Sequence, residues 1–256
     1  MEDQQQLEIS PGVIIERRRL LWLPVITTAT ILGGNALAQD AASKPEANKG
    51  VSPAPTGRLD WNEFLKQAVP MATELHSDSS PQGQEAYLHW LAQMASRLQL
   101  TTIGATKVGR FEKLDPAVYF GPSHRGKPFF IIEWRMEPGA ILPPHCHPNV
   151  SVCTVGIEGE ARIRNFEVAG QAPEFTSRQS FRVRETHNEI ITPGRINTLS
   201  AARDNIHTFQ AGKMGARGMD ITTYHGPDQG FSFLKMESKP ADAEQRIFEA
   251  VWALIS

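Results

Sequence analysis

Gly139-Ala140-Ile141-Leu142-Pro143-Pro144-His145-Cys146-His147 is the stretch on which the reading of this chain turns. In an extended segment side chains alternate between faces, so His145 and His147 point their imidazoles to one side and Cys146 to the other. Imidazole is the commonest side-chain metal ligand, and two parallel rings on one strand make half of a binding site. Pro143 and Pro144 lack backbone donors, which suits the start or the edge of a strand. If the extended conformation continued, Asn149, Ser151 and Cys153 would share the histidine side.

From Thr101 onward the chain consists of short apolar segments separated by Gly and Pro. Val118–Phe120, Phe129–Met136, Val150–Ile157, Ala161–Val168, Ser180–Arg184, Glu189–Ile191, Ile206–Ala211 and Ala216–Tyr224 read as strands. Strands this closely spaced indicate a β-sandwich or barrel. Before them, Trp61, Phe64, Leu65 and Ala68 recur at helical spacing after the capping residue Asp60, and Gln82 to Leu98 carries a second stripe through Ala86, Trp90, Met94 and Leu98. Ala241 to Leu254, with Ile247, Phe248, Val251 and Leu254 on one side, reads as a final helix.

A glycine, five residues, then His-x-His resembles the first motif of the cupin barrels, here Gly139 followed by His145 and His147. The resemblance implies a mainly β fold: a cupin, that is a double-stranded β-helix or jelly-roll barrel, with N-terminal helices and a C-terminal helix. It also calls for a third histidine on another strand. Asp204-Asn205-Ile206-His207-Thr208-Phe209 supplies one, about sixty residues later. Cupins often add a glutamate after three or four intervening residues beyond the second histidine, but Ser151 and Val152 occupy those positions. The departure points to a site of three histidines: His145, His147 and His207.

Three longer runs make the resemblance more specific. Pro143-Pro144-His145-Cys146-His147-Pro148, Gly159-Glu160-Ala161-Arg162-Ile163-Arg164-Asn165-Phe166 and Asp204 to Phe209 look like the thiol dioxygenases of the cysteamine dioxygenase and plant cysteine oxidase type. The likeness covers roughly Ala117 to Met236. It implies Fe(II) as cofactor, O2 as co-substrate, and conversion of a thiol (cysteamine, cysteine or a peptide with an N-terminal cysteine) to a sulfinate. Asp220 is similar to a family aspartate near the active site, and equally reads as a hydrogen-bonded carboxylate at a strand end. Tyr224 is a displaced candidate for the family's tyrosine, because Thr223-Tyr224-His225 stands where the family has Pro-Pro-Tyr. Cys153 is a candidate pocket residue, since some members bear a cysteine–tyrosine crosslink there; a buried free thiol is the plainer reading. Two further readings stay open: a three-histidine cupin oxygenase acting on a non-thiol substrate, and a periplasmic cupin that binds without turnover.

The remaining organisation is modular. Residues 1–38 carry Arg17-Arg18-Arg19, an apolar run from Leu20 to Leu32, and Ala36-x-Ala38, the pattern of a twin-arginine-like signal peptide with a cleavage site. About 13 moderately apolar residues fall short of the ~20 that span a bilayer, so no stable span is expected in the mature, periplasmic protein. Residues 39–58 read as a flexible linker, 59–100 as a helical segment, 101–240 as the barrel and 241–256 as the C-terminal helix. The formal charge of −2 gives no reason to expect nucleic acid as a partner. With two cysteines, Cys146 and Cys153, an exported chain can form one disulfide. These two face opposite ways and, extended, would stand roughly 23 Å apart, so free thiols are expected.

Overall fold

The computed structural model describes residues 57–75, 78, 80–103, 112–115, 117–126, 128–225 and 232–253. The signal-peptide reading of residues 1–38 and nearly all of the linker reading lie outside them.

Helix α1 (Trp61–Leu75) starts where the Asp60 carboxylate accepts the Glu63 backbone N–H at 2.9 Å, and it carries Pro70 within its length. Helix α2 (Pro81–Ala95) starts at Ser80, whose hydroxyl accepts the Gly83 N–H, with Pro81 in the first turn where a missing donor costs nothing. Its buried stripe runs through Tyr87, Leu88, Leu91 and Met94; Ala86, placed on the apolar face from the sequence, is exposed. No helix among the described residues is long and apolar enough to cross a membrane.

Ten strands follow: β1 (Glu112–Asp115), β2 (Val118–Gly126), β3 (Phe129–Met136), β4 (Ile141–Cys146), β5 (Val150–Val168), β6 (Phe181–Ile191), β7 (Ile196–Leu199), β8 (Ile206–Tyr224), β9 (Ser232–Met236) and β10 (Ile247–Ala253). They form one sheet in the order β1-β2-β3-β8-β4-β9-β10-β6-β5-β7, and the additional pairing of β8 with β5 rolls it into a barrel. This is the double-stranded β-helix of the cupin fold. β5 and β8 run antiparallel along their whole lengths, from Val150↔Tyr224 to Phe166↔Ile206. The sequence broke each into two strands. In the structure both continue through two register shifts, between Gly156 and Glu158 and between Gly159 and Ala161; Gly159 sits at φ 65° and a Cβ there would run into the Gly215 carbonyl.

Two faces of this sheet are apolar. The outer one, Phe129, Ile131, Cys153, Val155, Ile157, Met219 and Ile221, is covered by α1 and α2. Inside the barrel lie Trp134, Leu142, Ile163, Phe209 and Phe233.

The expected C-terminal helix is corrected. Residues 247–253 are strand β10, pairing with β6 and β9 and burying Phe248, Ala250 and Trp252 on alternate positions. Apolar residues at 247, 248 and 251 satisfy helical spacing, while 248, 250 and 252 satisfy alternation. Two available strand edges decide between the two patterns: residues placed there recover ladder hydrogen bonds and the contacts of Trp252 with Phe175 and Phe181.

Candidate metal centre

His145 lies near the end of β4, directly across the ladder from His207 on β8. The register between Leu142 and His145 is irregular, and Pro143 and Pro144 occupy that bulge, inside the strand but where ladder bonds are skipped. Thr208 satisfies the Leu142 carbonyl with its hydroxyl at 2.7 Å. His147 stands just past the strand. Its backbone N–H is held by Asn205, through the side-chain oxygen at 2.7 Å and the carbonyl at 3.3 Å. The Asp204-Asn205 segment thus ties the two halves of the site together.

The three imidazoles converge. His207 Nε2 lies 3.0 Å from His147 Nε2 and 3.0 Å from His145 Nε2. Among the described residues they form a group whose donor atoms all lie within 4.8 Å of one another. His145 and His207 are buried and His147 is half-buried, so the site opens past His147. Burial lowers the pKa of all three below the ordinary histidine value, that of His145 to about 4. They are therefore neutral at physiological pH, the form that ligates.

The tautomer of His145 follows from its surroundings. Its Nδ1 lies 2.9 Å from the Pro143 carbonyl, which can only accept, so Nδ1 carries the proton and Nε2 the lone pair. Lone pairs gathered on one point repel unless a cation sits between them. The donor set of His145, His147 and His207 fits one metal ion.

Aromatic rings wall this group. His207 packs edge-on against Phe209 with centroids 4.8 Å apart, His145 lies 5.6 Å from Phe233, and Phe209 meets Trp134 at 5.1 Å. Phe233 carries no sequence signal; Phe209 closes the quoted Asp204–Phe209 run but has no recognisable ligand spacing.

Asp220 lies on the interior side of β8, where it accepts Trp134 Nε1–H at 3.3 Å and the Thr154 hydroxyl at 2.7 Å. Burial raises its pKa to about 6 against the two hydrogen bonds that lower it. Two rings, Trp134 and Phe209, link it to the histidines. Tyr224 packs with Val150, Val152, Leu199 and Phe130.

Cys153 is not brought to the histidines. The turn after β4 includes Asn149 at φ 55°, which ends the extended run and reverses the alternation. Thr154 then faces inward to Asp220, while Cys153 packs under the helices and its thiol pKa is pushed up by burial. Ser151 likewise turns away, its hydroxyl 2.8 Å from His225 Nε2. Both cysteines are free and buried. Arg162 and Arg164 flank the inward Ile163; they point outward to Asn188 and Glu185.

Solved structures with similar folds include KdgF from Halomonas sp. (12% identity, TM-score 0.34, covering 45% of this chain and 86% of that one). A double-stranded β-helix protein from Klebsiella pneumoniae (14%, TM-score 0.35, 48% and 88%) and pumpkin seed globulin (13%, TM-score 0.39, 52% and 32%) are others. No protein-family model and no curated protein matches the sequence.

Proposed function

We propose that this chain is a non-haem iron(II) dioxygenase of thiols, exported to the periplasm, which converts cysteamine, cysteine or an N-terminal cysteine to a sulfinate. The observation that carries the proposal is the group of three neutral, converging imidazoles on a barrel whose motifs resemble those of the thiol dioxygenases. The reaction balances without another reductant: R–SH and O2 give R–SO2H, with both oxygen atoms ending on sulfur. Iron bound by His145, His147 and His207 would supply Lewis acidity toward the thiol and electron exchange with O2.

The chain's own residues do the rest. Neutral imidazoles leave the charge of the ion uncompensated, which favours the thiolate over the thiol. Phe209, Phe233 and Trp134 keep water from the inner wall. Asp220 is the proposed holder of a proton deeper in the barrel, since a carboxyl with a pKa of about 6 changes charge near neutral pH.

Metal analysis together with O2 electrode measurements on anaerobically iron-loaded protein tests the proposal, with a panel of small thiols and an N-terminal-cysteine peptide. Thiol-dependent uptake with a sulfinate product is expected. Bound iron without uptake on any thiol would reject it.

A further inference from the structure

Metal-ligating histidines carry their other ring nitrogen as an N–H bonded to an acceptor that sets tautomer and orientation. For His145 that acceptor is the Pro143 carbonyl. His207 Nδ1 is buried and has no partner among the described residues. The amide oxygen of Asn165, also buried, has none either. These two residues are paired across the β5–β8 ladder. Side chains so paired on one face have Cβ atoms about 4.5–5.5 Å apart, within reach of each other's polar ends.

Which end of the Asn165 amide faces His207 is settled by a row of hydrogen bonds leading to the surface. Glu189 is half-buried, and its carboxylate only accepts, so it must receive Asn197 Nδ2, which lies 2.9 Å away. Asn197 therefore presents its oxygen to Asn165 Nδ2, at 3.0 Å. That leaves Asn165 Oδ1 as the atom free to accept from His207.

We infer that the row Glu189–Asn197–Asn165 fixes His207 as the Nδ1–H tautomer and so aims its Nε2 lone pair at the metal. Asn165 is a positioning residue, acting through His207. The inference rests on the three-histidine site of the proposed function, and not on the choice of iron or of a thiol.

The test uses the full-length protein stripped of metal, Co(II) titration as the binding probe, and long-range 1H–15N spectra of the imidazoles to read the tautomer. Wild-type protein is expected to show His207 protonated at Nδ1. Asn165→Leu should lose about 10–100-fold in Co(II) affinity and admit the Nε2–H form. Asn165→Asp loses the donor to Asn197 but keeps an oxygen facing His207, so the Nδ1–H tautomer should persist, which a purely structural role would not produce. Glu189→Lys, in a half-buried position that a long side chain can leave for solvent, replaces the acceptor with a donor. It should reverse both amides, turn an NH2 toward His207 and weaken Co(II) in the same way. Variants with unchanged tautomer and affinity beside a Co(II)-binding wild type would overturn the row's role alone. A wild type that takes up no Co(II) would overturn the metal site, and the inference with it.

Discussion

Trp134 donates its indole N–H to Asp220, and the same carboxylate oxygen accepts the Thr154 hydroxyl, so among the described residues a buried acid is held by two neutral donors and no cation. Desolvation therefore dominates, and the folded-state pKa of about 6 lies above the ordinary 3.8. The stabilisation that comes from keeping this carboxyl protonated is complete below 3.8 and is lost as pH rises through about 6. Asp220→Asn keeps an acceptor for both donors and removes the charge. Relative to wild type, its unfolding free energy should gain on the order of 1–3 kcal/mol between pH 4 and pH 7. Urea unfolding curves across that window measure it; a pH-independent difference would contradict the assignment.

His207 lies 3.0 Å from each of the other two histidines at Nε2 and is the shared member of the group. His207→Ala leaves two donors, so the metal content of purified protein should fall to background in elemental analysis. Full occupancy in this variant would remove His207 from the ligand set.

Cys153 is fully buried among Val155, Ile157 and the helix residues Phe64 and Leu91. Its thiol should resist an aromatic disulfide reagent until the protein is denatured. Cys153→Ala should cost about 1 kcal/mol of stability. Cys153→Ser buries a hydroxyl there and should cost about 1–3 kcal/mol. Metal binding is expected to be unchanged in both, and loss of metal in the alanine variant would return Cys153 to the site.

Trp252 joins β10 to the rest of the barrel through Phe175 and Phe181 and donates its N–H to the Pro173 carbonyl at 2.8 Å. Trp252→Ala should destabilise the fold by about 3–5 kcal/mol. A change below about 0.5 kcal/mol, the range of surface substitutions, would contradict the packing of this strand.

Local sequence determined a good part of this protein. Alternation placed His145 and His147 on one side, the Gly- and Pro-bounded apolar runs gave a strand-rich barrel, and Asp60 marked where the first helix begins. Tertiary structure decided what depends on partners far along the chain. One residue in the left-handed region, Asn149, reversed the alternation and moved Cys153 from the histidine side to the helix side. The edges of β6 and β9 made residues 247–253 a strand, although their apolar residues fit a helix as well. Asn165 lies within the Gly159–Phe166 run with nothing in its spacing to mark it, because its meaning comes from its position opposite His207. In each case the deciding free energy lies in a long-range pairing, whether a ladder bond, a buried ring or a polar atom needing a partner, and spacing along the chain does not encode it.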